Sequence, residues 1–325
     1  MIRSYLGSIL RSGQNRNVVS DSIINTCRTC AGTAVGQSSG KDSGQNEIDL
    51  PEPILLRHER YDTNTTDPRK TPIVVYHGLF GSKTNWRTLS KVMTQKTDRI
   101  VYALDVRNHG GSPHSPEMSY AAMISDVNYF MTNRKLNKTI TVGHSLGGRA
   151  FIQMALTLPE KVDKLVVVDI GVTRVPGVKE VLMNYVKSMK EATQLLTNIE
   201  NISDARRAVD DFVKPMIGDP FIRGFLLTNL IADDKSKTIR WAFNLDAIEH
   251  MLTSEFHEIA PEKQYNGPVL LIHGGKSEFV NDKAIEDLRK LFPKLEVSCI
   301  PGASHYLHVE KPNEFLDVLI KFVNS

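Results

Sequence analysis

Beyond about residue 50, two kinds of apolar pattern alternate along the chain. The first is a short apolar run, found at residues 72–78, 99–105, 139–143, 164–169 and 267–273, with a further strand-like stretch at 295–300. The second repeats every three or four residues, as at Met123, Val127 and Phe130, or at Phe151, Met154, Ala155 and Leu158. Short runs bounded by turn residues predict buried strands, and the wider spacing predicts helices with one apolar face. An early strand pair is expected around residues 54–57. Further helices are expected at 86–93, 120–131, 284–292 and 314–323. Strands that are apolar throughout leave no face for water, so the sheet should be mostly parallel, of an eight-stranded type, with helices on both sides.

The alternation breaks after Gly171. Residues 172–257 contain no strand-like run, only helical spacings at 181–189, 205–212 and 221–230. Strand character returns at residue 267. The pattern thus predicts an α/β core made of residues 46–171 and 258–325, with a helical insertion, 172–257, leaving after the sixth strand. Long insertions are either functional or plain extensions of the scaffold. A lid is the functional expectation.

Composition narrows the class. At 41% hydrophobic and 24% charged, 325 residues supply an ample globular core. A net charge of +3 is too balanced to suggest nucleic acid as a partner. No apolar run approaches the ~18–20 residues of a membrane-spanning helix, so no transmembrane segment is expected. Of the three cysteines, Cys27 and Cys30 form a lone C-x-x-C without a second pair at zinc spacing, and Cys299 is remote. An odd count without a framework argues for a reducing compartment.

The first 45 residues stand apart. Arg3, Arg11, Arg16 and Arg28 face one acid, Asp21, and Ile2, Tyr5, Leu6, Ile9 and Leu10 fall at helical spacing. An amphipathic, arginine-rich, acid-poor leader predicts a mitochondrial transit peptide and a matrix destination; a disordered basic tail is the alternative.

The candidate chemistry centres on Gly143-His144-Ser145-Leu146-Gly147, set between a β-branched run and a helical pattern. In that context G-x-S-x-G is a nucleophile elbow, whose sharp turn needs small residues two positions either side of the serine. A serine hydroxyl needs a base, and the base needs an orienting acid. His305, in Gly302-Ala-Ser-His305 after the last strand, is the expected base. Asp169, a carboxylate closing an apolar strand, is the expected acid, with Glu278 in the loop after His273 as the competing choice. Ser277 is expected to assist through a hydrogen bond. The oxyanion hole should use the N–H groups of Leu146 and Leu79, the latter in His77-Gly-Leu-Phe-Gly-Ser82. His77, Phe80 and His144 are assigned to the substrate pocket, although Phe80 suits core packing equally well. The segment Asp105-Val-Arg107-Asn-His109-Gly-Gly-Ser112 is expected to brace the site. His305 and His308 form a lone H-x-x-H without a third ligand, so no metal is expected.

Taken together, His77-Gly78 with Gly81, Asp105-x-Arg107-x-His109-Gly110-x-Ser112, the Ser145 motif and Gly302-x-x-His305 resemble the α/β-hydrolase superfamily over nearly all of residues 50–325. The finer pattern, with Val168-Asp169 and Gly-Gly-Lys276-Ser277, is similar to the group of abhydrolase domain-containing protein 11 and its bacterial esterase relatives. In that group the acid follows strand six and the later loop carries a serine. The lysine stands where relatives often have asparagine, which touches the loop and not the three reacting residues. The resemblance implies a mitochondrial serine esterase or lipase, without cofactor, acting on acylglycerols such as diacylglycerol or on other lipid-like acyl esters. A catalytically weak scaffold that binds or protects a client is the alternative from another class.

Overall fold

The computed structural model describes residues 50–233, 238–254 and 263–325. The basic leader, with Cys27 and Cys30, and the last residues of the expected insertion lie outside the described residues. In chain order the strands and helices are β1 (His58–Tyr61), β2 (Ile73–Tyr76), α1 (Arg87–Thr97), β3 (Val101–Leu104), α2 (Tyr120–Asn133), β4 (Thr139–His144), α3 (Leu146–Thr157) and β5 (Val162–Val168). Next come α4 (Val178–Ala192), α5 (Ile202–Val213), α6 (Pro220–Leu227), β6 (Leu230–Ala232), β7 (Ile239–Trp241) and α7 (Leu245–Thr253). The chain closes with β8 (Val269–Gly274), α8 (Asp282–Leu291), β9 (Leu295–Ile300), α9 (Leu307–Glu310) and α10 (Pro312–Asn324).

The main sheet runs β1-β3-β2-β4-β5-β8-β9, parallel except for β1, which pairs antiparallel with β3. Side chains of a strand alternate between faces. Val74 and Tyr76 accordingly pack with Met123, Val127, Phe151 and Met154 of α2 and α3. Ile73 and Val75 join Leu89 and Met93 of α1, and Phe315 and Leu319 of α10, on the other face. Both faces are dry, as the unbroken apolar runs require.

Three expectations change. The early strand pair at 54–57 is a single strand four residues later. Pro51 and Pro53 cannot donate to a ladder, and the Ile54 N–H goes to Asp126 Oδ1 at 2.7 Å instead. Among the described residues the main sheet therefore has seven strands rather than eight, and the insertion leaves after the fifth in chain order. The insertion is also not purely helical: β6 and β7 form a small antiparallel pair.

The strand order reverses between β2 and β4. Chain leaving β2 goes to β3 on one side, while β4 and its successors build outward on the other. Ligands of open α/β sheets gather beyond the carboxyl ends of strands at such a reversal. Here that point is flanked by the loop after Tyr76 and the turn after His144.

Candidate active site

Ser145 sits at φ 52°, ψ −114°, a left-handed conformation that side chains rarely adopt, between β4 and α3. Its neighbours explain why the turn tolerates only glycine two positions away. A methyl on Gly143 would lie 2.4 Å from the Gly147 carbonyl oxygen, and one on Gly147 would lie 2.4 Å from the Tyr76 carbonyl oxygen. The Ser145 N–H is held by the Val168 carbonyl at 3.1 Å. Leu146 opens the helix, so its N–H belongs to the first turn, which has no helical acceptor.

Across the sheet edge, His305 Nδ1 lies 2.7 Å from Asp169 Oδ2. A carboxylate only accepts, so Nδ1 carries the proton and Nε2 is left as the basic nitrogen. Asp169 is buried at the end of β5, at φ 53°, and is held from two further directions. The Gly274 N–H donates to Oδ1 at 2.8 Å, and the Ser277 hydroxyl donates to Oδ2. Glu278, the competing acid, makes no hydrogen bond to His305 among the described residues. The Phe279 ring stacks on the His305 imidazole at 3.8 Å and 19°. No hydrogen bond joins Ser145 Oγ to His305 among the described residues; such contacts commonly tighten only once substrate is bound.

Leu79 lies between two peptide groups pinned by histidines. Val106 N–H donates to His77 Nε2 at 3.0 Å, so the proton is on Nδ1, which donates to the Gly78 carbonyl at 2.8 Å. Phe80 N–H donates to His109 Nε2 at 3.2 Å, and His109 Nδ1 faces the Arg107 carbonyl at 3.0 Å. Both rings must be neutral to accept. Burial lowers the pKa of His77 and takes that of His109 down to about 3.

The family described as alpha/beta hydrolase fold matches residues 71–199. The sn-1-specific diacylglycerol lipase ABHD11 of Mus musculus is 37% identical over 286 residues, covering 88% of this chain and 90% of that protein. An abhydrolase domain-containing protein of Schizosaccharomyces pombe is 35% identical over 277 residues, 84% of this chain and 98% of the other. This chain is an α/β hydrolase of the ABHD11 family. Among solved structures, a marine microorganism esterase superposes with a TM-score of 0.73 at 27% identity, over 83% of this chain and 99% of that one.

In this α/β hydrolase, Ser145 opens on a cleft with a mostly apolar lining. Leu79 and Leu146 border it beside the serine, and Phe279 carries its wall toward His305. Its remaining apolar lining mixes core and insertion residues: Ile170, Val175, Val178, Leu182, Met251 and Leu252.

His77, Phe80 and His144, expected in the pocket, are not part of that lining. All three are buried behind it. His77 pins the Gly78 carbonyl, and Phe80 meets Phe243 edge to face at 5.5 Å. His144 Nε2 donates to the His305 carbonyl at 2.9 Å, tying the residue before the serine to the His305 loop. Burial holds the His144 imidazole well below its ordinary pKa, hence neutral. His308 packs beside it at 4.5 Å between ring centres and stacks on Trp86 at 4.7 Å.

The sequence reading missed Asp126. Its two oxygens take Arg107 Nε at 2.7 Å and Nη2 at 2.8 Å in a buried fork, while Arg107 Nη1 donates to the Glu117 carbonyl at 3.0 Å. A lone carboxylate among Met123, Val127 and Phe130 of α2 was the available signal. Asp105 has a similar role nearby, accepting from the Lys83 ammonium at 2.6 Å and from Gly111 N–H at 2.9 Å. These two carboxylates brace the loop from Asp105 to Ser112.

Proposed function

We propose that this chain hydrolyses carboxylic esters, acylglycerols such as diacylglycerol among them, through an acyl-enzyme on Ser145. The observation that carries the reading is the pairing of His305 with a buried, triply bonded Asp169 beside a strained serine that opens on an apolar cleft. Ser145 Oγ attacks the ester carbonyl and His305 Nε2 takes the hydroxyl proton. Asp169 holds the imidazole in the required tautomer and stabilises the imidazolium. Ser277 keeps Asp169 oriented. The N–H groups of Leu146 and Leu79 receive the charge that grows on the carbonyl oxygen. Collapse releases the alcohol with the proton from His305, and water then repeats the sequence to release the acid. The diacylglycerol assignment is supported by the ABHD11 relatives, which are sn-1-specific diacylglycerol lipases. The insertion, with Val178, Leu182 and Met251 in the cleft wall, acts as a lid that selects the acyl chain. A mitochondrial matrix destination rests on the basic leader alone.

Hydrolysis of diacylglycerol and of p-nitrophenyl esters by wild type and Ser145→Ala tests the reading. Loss of both activities in the variant, with unchanged folding, is expected. Equal turnover by the two proteins refutes it. Absence of turnover by wild type, with a client retained on it, would favour the binding-scaffold alternative.

A further inference from the structure

The cleft carries charge of one sign. Arg149, Arg174 and Lys179 all line it, and among the described residues no aspartate or glutamate does. Arg149 stands one helical turn beyond the serine, its N–H on the Ser145 carbonyl at 3.0 Å. Its guanidinium is fixed: Nε donates to the Gly171 carbonyl at 3.0 Å, Nη2 donates to the Thr173 carbonyl, and it also bonds the phenol of Tyr120, another lining residue. Those bonds hold the segment 171–174 against α3 and so set where Arg174 emerges. Arg174 and Lys179 are both exposed at the start of the insertion.

Arg149 serves the fold, but a cleft made only for hydrocarbon and a neutral ester has no use for two further cations, Arg174 and Lys179, on its lining. Cations beside low-dielectric walls attract an anion more strongly than the same groups on an open surface. The fixed Arg149 adds its charge from behind, while the exposed Arg174 and Lys179 can reach a ligand. Resting on the ester-hydrolase reading above, we propose that the preferred substrates are anionic esters, carrying a carboxylate or phosphate near the scissile bond that Arg174 and Lys179 bind. The anion is a spectator. Water cleaves the ester to acid and alcohol as for a neutral substrate, and the gain lies in binding.

Two matched pairs test this and separate the sources of the anion. For a carboxylate on the acyl part, mono-p-nitrophenyl adipate is compared with its methyl ester. For a phosphate on the leaving part, 1-butyryl-glycerol 3-phosphate is compared with 1-butyrylglycerol. Both pairs are measured on wild type, Arg174→Gln, Lys179→Gln and the double variant. The anionic member of at least one pair should have the higher kcat/KM. Each substitution should cut that member by about five-fold, mainly through KM, as expected for a partly exposed ion pair. Neutral members should be unaffected, and high salt should erase the preference. Equal kcat/KM within both pairs, or equal losses on charged and neutral members, overturns the proposal.

Calorimetric binding of the same compounds to Ser145→Ala needs no turnover. Tighter binding of an anionic member that depends on Arg174 and Lys179, without hydrolysis by wild type, supports the anion site and removes the hydrolase reading. Hydrolysis of both members with no difference in binding removes the anion site alone.

Discussion

Around Ser145, at the carboxyl edge of the sheet, backbone and side chains are held from several directions. Asp169 has three partners, and Gly78 and Phe80 are each pinned by a buried histidine. The insertion between β5 and β8 is built differently. Val181, Leu195 and Phe212 stand exposed on it, and a methyl on Gly218 or Gly224 would meet nothing within 4 Å. The turn at Ser145 leaves no room for a methyl, while parts of the insertion surface leave plenty, over a core of its own that includes Val186, Val209 and Ile248. Under the function proposed above such a division is expected, because groups that stabilise developing charge must be placed before substrate arrives, while a wall facing hydrocarbon only has to be apolar and the right size.

The contrast can be tested from the largest effect downward. Asp126→Ala leaves Arg107 buried without its fork, so unfolding free energy should drop by about 3–5 kcal/mol. In the insertion, Asp210 pairs with Arg223 Nε at the same 2.7 Å, but Asp210 is 36% exposed and Arg223 keeps the Ile217 and Gly218 carbonyls. Asp210→Ala should cost about 1 kcal/mol or less. Urea titration of both variants checks the difference, and similar losses would break the comparison.

pH gives the next effect. Burial lowers the pKa of His308 from 6.5 to about 3, and that of His109 likewise to about 3. Between those values the unfolded chain binds a proton that the folded chain does not. Stability is therefore fully present above about pH 6.5 and falls as pH drops toward 3, by up to about 1.4 kcal/mol per pH unit for each such histidine. His308→Phe should flatten part of that slope in denaturant titrations from pH 7 to 5. An unchanged slope would mean that the cluster behind His305 takes up protons freely.

The smallest effect is a gain. Gly224 lies inside α6 with open space around it, so Gly224→Ala should stabilise by about 0.5–1 kcal/mol without altering kcat/KM. A loss of activity there would show the insertion to be as tightly set as the sheet edge.

The same division explains what could be read from the chain. The main parallel strands were legible because a strand buried on both faces must be apolar throughout, and the Ser145 turn because steric crowding admits so few residues. Asp169 directly follows β5, and His305 comes from the loop after β9, so only the Ser145 turn and Asp169 sit on strands of that kind. The β6–β7 pair went unseen because three-residue strands carry no period. Helix α7 was passed over although Leu245, Ile248, Met251 and Leu252 fall at helical spacing and the Asn244 side chain caps it by accepting from Ala247 N–H. His77 and His144 were assigned to the wrong side of their loops. Each ends a strand or follows one, and local sequence does not say whether such a ring turns toward the cleft or behind it. Asp126 was hidden because its partner Arg107 comes from a loop 19 residues earlier.

The central claim is that Asp169, at the end of β5, orients the base that activates Ser145. Its most direct test is the rate at which a fluorophosphonate labels the Ser145 peptide, read by mass spectrometry, in wild type, Asp169→Asn and Glu278→Gln. The account predicts label on Ser145, slowed by about 10³–10⁴-fold in Asp169→Asn and unchanged in Glu278→Gln. Label on another residue, or a comparable loss in Glu278→Gln with Asp169→Asn unaffected, would contradict it.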